Sequence, residues 1–120
     1  LKITKKHREE MLSIIRQCLE STRPFTVRFG IVMLLSYYAE AAYLPVLFKA
    51  FDGVSQTDYY VQMAVAWAIS VCLVKFFDET VCYLQSCRLD RFTFNKALQK
   101  GIESYRLTAP QKALLRSMKK

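Results

Sequence analysis

The sequence predicts an all-α protein, an α-solenoid of about three helix pairs closed by a short C-terminal helix. Two observations carry this. Three segments align without gaps: PFTVRFGIVMLLSYY from Pro24, DYYVQMAVAWAISVC from Asp58 and RFTFNKALQKGIESY from Arg91. Their starts are 34 and 33 residues apart, the length of one helix-turn-helix unit in a stacked-repeat protein. Chain breakers are also scarce, with three Gly and three Pro in 120 residues that are 52% hydrophobic and 23% charged, a balance that is globular rather than disordered.

Each aligned segment reads as a helix. The fourth positions are Val27, Val61 and Phe94, the eighth Ile31, Val65 and Leu98, the eleventh Leu34, Ala68 and Gly101, and the fifteenth Tyr38, Cys72 and Tyr105. Steps of four, three and four trace one helical face, the expected buried one. The seventh position is small each time (Gly30, Ala64, Ala97), which lets a neighbouring helix approach. The second is aromatic each time (Phe25, Tyr59, Phe92), and the fifth is long and polar or amide-bearing (Arg28, Gln62, Asn95).

Partner helices are expected in the intervening chain: Lys6 to Glu20, with Leu12, Ile15 and Leu19 spaced for one face; Tyr43 to Phe51; and Asp78 to Gln85. Pro24 and Pro45 suit helix starts, where a missing N–H costs nothing. A last helix is expected from Thr108, Ala109 and Pro110 through Leu114, Leu115 and Met118. That makes seven helices. The first pair shows no polar cap, so self-association through this exposed first repeat is expected.

Length allows one domain spanning residues 1–120. Eighteen Lys and Arg against ten Asp and Glu give a formal charge of +8, so the partner should be acidic, either nucleic acid or an anionic surface. Cys18, Cys72, Cys82 and Cys87 fit no zinc spacing and no Cys-x-x-Cys motif, and His7 is the one histidine. No metal and no cofactor is expected, and the thiols read as reduced and structural in a cytoplasmic protein. Lys2, Lys5, Lys6 and Arg8 precede no apolar run, so no secretory signal is read there. The apolar run Val61 to Val74 is 14 residues long, short of the roughly 20 a spanning helix needs. The run from Phe25 is interrupted by Arg28 and Glu40. Both read as buried helices of a globular core, and no membrane partner is expected.

The phrases PFTVRFGIVMLL, DYYVQMAVAWAISVC and FTFNKALQKGIESYRL resemble the C-terminal half of the DNA alkylation repair family. The resemblance runs from about Leu1 to the end and rests on the three phrases together. It implies a right-handed stack of HEAT-like helix pairs whose concave basic surface holds double-stranded DNA with alkylated bases. It also implies a glycosylase that releases N3- and N7-alkylated purines, with an Asp, an Arg and a Trp at the site. The family's Arg falls on Arg28 and its Trp on Trp67. Its Asp would fall before Leu1, so the chain is expected to be the C-terminal part of a longer protein, incomplete for catalysis.

The implied chemistry is physically coherent. An N-alkylated purine is already cationic, so its glycosidic bond is weak. A carboxylate would stabilise the sugar cation, the face of Trp67 would hold the base by a cation-π contact, and Arg28 would fix a phosphate. Tyr59, Tyr60, Lys96 and Lys100 are the expected DNA-binding residues around this pair.

Each assignment has a plainer alternative. Trp67 lies in the most apolar helix, where a tryptophan usually belongs to the core. Arg28 could instead pair with a carboxylate such as Glu40. Of Tyr59 and Tyr60, one is expected to pack and the other to be exposed. Lys96, Lys100, Arg106, Lys112, Arg116, Lys119 and Lys120 form either a phosphate track or a solvated face. His7, Glu9 and Glu10 point in different directions and are assigned no chemistry. The rival to the repair reading is a non-catalytic solenoid that binds protein or structured nucleic acid.

Overall fold

The computed structural model describes residues 5–54 and 58–120, so Lys2 lies outside the described residues. Among these the chain is all-helical: α1 (Lys5–Leu19), α2 (Pro24–Tyr38), a 3-10 turn (Ala41–Tyr43), α3 (Leu44–Gly53), α4 (Tyr59–Lys75), α5 (Phe77–Ser86), α6 (Arg91–Glu103) and α7 (Ala109–Met118). Tyr43, expected to open α3, belongs to the 3-10 turn instead. Proline at the second residue of α3 suits a helix entered from such a turn.

The cause of each start is local. Pro24 occupies the first turn of α2. Asp58 caps α4 by accepting from the Tyr60 and Val61 amides at 2.9 and 3.3 Å. Thr108 and Gln111 close a reciprocal capping box on α7. Asp90 does most. It accepts from the Thr93 amide at 2.9 Å, from Thr93 Oγ1 at 2.7 Å and from Gln62 Nε2 of α4 at 3.2 Å. Asp90 therefore starts α6 and ties it to α4. Replacing it with alanine is expected to cost about 1–2 kcal/mol, checked by urea denaturation; Asp58→Ala, which breaks no interhelical bond, should cost less.

α4 lies between α2 and α6, with α1 against α2, α5 against α4 and α7 against α6. Contacts at both ends show that α4 and α6 run in the same direction. The Tyr59 and Phe92 rings meet at their N-terminal ends, 5.9 Å apart, and a Cβ at Gly101 would lie 3.0 Å from Leu73 Cδ1 near their C-terminal ends. At their N-terminal ends the second positions of these two segments, Tyr59 and Phe92, thus stand beside one another.

The face traced by the repeat is the core. Val27, Ile31, Leu34 and Tyr38 of α2, Val61, Val65, Ala68 and Cys72 of α4, and Phe94 and Leu98 of α6 are all buried. The fifteenth position departs from the pattern in the third segment, where Tyr105 is 90% exposed. α6 stops at Glu103, the backbone turns extended at Ser104, and Leu107 is buried instead. At the seventh position Gly30 does allow close approach, since a Cβ there would lie 3.1 Å from Cys18 Cβ and 3.2 Å from Leu19 Cδ2 of α1. Ala64 borders an open cleft, described below. All four cysteines are unpaired, and burial pushes the Cys72 thiol up to about 11. Among the described residues no helix is long and apolar enough to cross a membrane.

Two polar clusters join helices that the repeat does not align. Asp52 of α3 accepts from the Tyr83 hydroxyl of α5 at 2.7 Å and from the Arg88 amide at 2.9 Å, while Phe48 stacks on Tyr83 at 4.4 Å. Burial, reinforced by Asp52, pushes the Tyr83 hydroxyl far above its ordinary value. At the other end, Arg8 of α1 donates to both Glu40 oxygens, at 2.7 and 3.3 Å, and to the Tyr37 carbonyl at 2.7 Å. Its guanidinium lies over the Tyr38 and Tyr43 rings, and the Tyr38 hydroxyl donates to the Arg8 carbonyl.

The Arg8 hydrogen bonds hold the Glu40 carboxyl below its ordinary 4.5. A depressed carboxylate contributes stability that is present above its unfolded value and is lost as pH falls through its folded value. Glu40→Gln is therefore expected to be less stable than the parent near neutrality, with the gap closing as the solution is acidified through the carboxylate range. Thermal melts across that range check this. Both groups are solvent-accessible, so the effect should be small and weaken with salt.

Candidate functional site

The exposed side of the α2, α4 and α6 row is unusually rich in rings and cations. Phe25, Arg28, Phe29 and Val32 follow helical spacing along α2, as do Tyr60 and Trp67 along α4, and all are exposed. These residues lie opposite the core face traced by the repeat.

Arg28, Val32, Tyr60, Met63, Ala64, Trp67 and Lys100 line one cleft of about 340 Å³. Four of the six residues singled out from the sequence, Arg28, Tyr60, Trp67 and Lys100, are therefore brought together from three helices. Ala64 is the small residue at the seventh repeat position, and here smallness leaves space between α2 and α4 rather than closing it.

Trp67 is 42% exposed, so the core alternative for this residue is corrected. α4 buries its remaining faces against α2, α5 and α6 and leaves only a narrow open strip, which carries Trp67. The alternative pairing of Arg28 with Glu40 is corrected too, because Glu40 is engaged by Arg8. Among the described residues Arg28 forms no ion pair. Among the described residues the cleft has two cations and no carboxylate in its lining, so a monoanion or a phosphate would enter against no like charge there.

Both Tyr59 and Tyr60 are exposed, where one was expected to pack. Their rings meet edge to face, 5.5 Å apart, and Tyr59 in turn touches Phe92. Lys96 stands apart from the cleft. It lines a second, shallower concavity of about 560 Å³ with Arg91, Phe92, Asn95, Gln99 and Lys119. Lys119 donates its ammonium to Gln99 Oε1, and Asn95 holds the backbone of Lys120 by hydrogen bonds of 2.9 and 3.0 Å.

Lys119 entered only as one of the seven cations of a possible phosphate track. Phe25, Phe29, Phe92 and Arg91 were not assigned to the site from the sequence, although Phe25 and Phe92 share the aromatic second position with Tyr59. That recurrence was the available signal. No group of His, Cys, Asp and Glu suited to a metal occurs among the described residues. In comparisons with protein-family models, with curated proteins and with solved structures, nothing matches the chain.

Proposed function

We propose that this chain is the DNA-binding part of an alkylpurine DNA glycosylase-like repair protein, folded as a right-handed solenoid of HEAT-like helix pairs. In this reading the face of α2, α4 and α6 is the DNA-binding surface and double-stranded DNA with alkylated bases is the partner. The observation that carries the reading is the cleft itself: among the described residues, an arginine that forms no ion pair and a tryptophan exposed on the most apolar helix share with Tyr60 and Lys100 one concavity whose lining holds no Asp or Glu.

Each side chain has a role that its chemistry supports. Arg28 and Lys100 hold the phosphates beside the lesion, a contact that positions DNA without reading its sequence. Trp67, with Tyr60 beside it, offers a π-face to a purine that alkylation has made cationic. The cleft supplies no carboxylate, so these residues bind and orient, and the stabilisation of a sugar cation is not among their tasks.

Titration of the chain against an N7-methylated duplex and its unmodified counterpart, followed by fluorescence anisotropy, tests the reading. Tighter binding to the methylated duplex is the expected result. Equal affinity would remove the lesion-specific part of the reading, and absence of binding to either would leave a protein-binding solenoid as the better description.

A further inference from the structure

Tyr60, Tyr59 and Phe92 form an unbroken chain of exposed rings, with centroids 5.5 and 5.9 Å apart. The first ring lines the cleft of Arg28 and Lys100, and the last lines the concavity of Arg91, Lys96 and Lys119. Among the described residues neither lining contains an Asp or Glu, and in the second basin Arg91 Nε donates to the Lys120 backbone oxygen at 3.2 Å, leaving its terminal nitrogens for an anion. An aromatic ledge therefore runs between two cationic basins.

A paired duplex has little use for such a ledge, since its bases are stacked on one another and only its phosphates face outward. An unpaired strand fits both features. Its bases have free π-faces that stack on aromatic side chains, and its phosphates follow cations along the track. We infer that the ledge of Tyr60, Tyr59 and Phe92 binds a short single-stranded DNA segment through its bases, with the flanking phosphates held in the two basins. This rests on the DNA-binding reading above and narrows it: the preferred ligand is DNA with an unpaired stretch next to the cleft.

The ring contact between Tyr59 and Phe92 is between exposed side chains, so leucine at either position leaves the core face of α4 and α6 untouched. The test is anisotropy titration of the whole chain with a labelled oligothymidylate, with an abasic oligomer of equal length and charge, and with a fully paired duplex.

The oligothymidylate is expected to bind more tightly than the abasic oligomer. Tyr59→Leu and Phe92→Leu should each weaken it by about tenfold, a larger loss than either causes in duplex binding, while Phe92→Tyr keeps parental affinity for the oligothymidylate. Equal binding of the oligothymidylate and the abasic oligomer, or no effect of the leucine substitutions, would overturn base stacking on the ledge. In that case retained, salt-sensitive duplex binding would leave the broader DNA reading standing. Loss of all binding in the parent chain would overturn both.

Discussion

Phe51→Ala is expected to lower the stability of the protein by about 3–5 kcal/mol, the range for deleting a buried phenyl ring. Phe51 is 1% exposed at the end of α3. It lines, with Val54, Val61, Val65, Leu89 and Thr93, a gap of only about 10 Å³, room for roughly one water at most. The ring is thus closely surrounded by the first turns of α4 and α6 and the segment between α5 and α6.

Alanine would open a void where these elements meet, and partial collapse could not fill it without moving the α4 and α6 starts. Against a total stability on the order of 5–15 kcal/mol for a domain, that is a large fraction. The expected drop in melting temperature is roughly 10–20 °C, with Phe51→Leu showing a much smaller loss. Tyr59, Tyr60 and Phe92 sit on those same first turns, so the alanine variant should also lose affinity at the ledge before it unfolds.

Salt dependence is the second large effect. Under the proposed DNA-binding reading, Arg28, Lys100, Arg91, Lys96 and Lys119 would each neutralise a phosphate and release counterions, and five neutralised phosphates give an expected slope of log K against log salt of about −4.5 on a duplex. Between 50 and 200 mM salt this amounts to a loss of roughly 500-fold in affinity. Arg28→Ala and Lys96→Gln should each reduce the slope by about one. Lys112→Gln should leave it unchanged, because Lys112 lines neither concavity. A slope near zero would mean that the cations are a solvated face and bind no phosphate.

The helices were legible because their signal is local. Spacing of Val27, Ile31, Leu34 and Tyr38 along α2 depends on helical geometry alone, and Pro24 and Thr108 mark helix starts by their own chemistry, whereas the Asp58 and Asp90 caps came to light only in the structure. Tyr105 was misread for the opposite reason. The alignment extends to it, but nothing at that position says that α6 ends two residues earlier and that Leu107 takes the buried place.

Four residues of the candidate cleft, Arg28, Tyr60, Trp67 and Lys100, were named from the sequence, but their arrangement was not. Trp67 could not be assigned from periodicity, since α4 is apolar nearly all round and a helix covered by neighbours on most sides carries no strong stripe. Its exposure follows from where α2 and α6 leave off. The partner of Glu40 was invisible to local reasoning because Arg8 arrives from α1, 32 residues away in sequence. The recurrence of Phe25, Tyr59 and Phe92 was plain, but only the register of α4 against α6 turns two of those positions into neighbours.

The most direct test of the central claim compares the parent with Arg28→Ala and Trp67→Ala in binding a labelled duplex that carries an abasic-site analogue beside a cationic nucleotide, at low and moderate salt. The expected result is salt-sensitive binding by the parent, weakened by both substitutions, with Arg28→Ala also flattening the salt dependence. Binding that is absent, or indifferent to both substitutions, would contradict the assignment of the Arg28 and Trp67 cleft as the place where DNA is held.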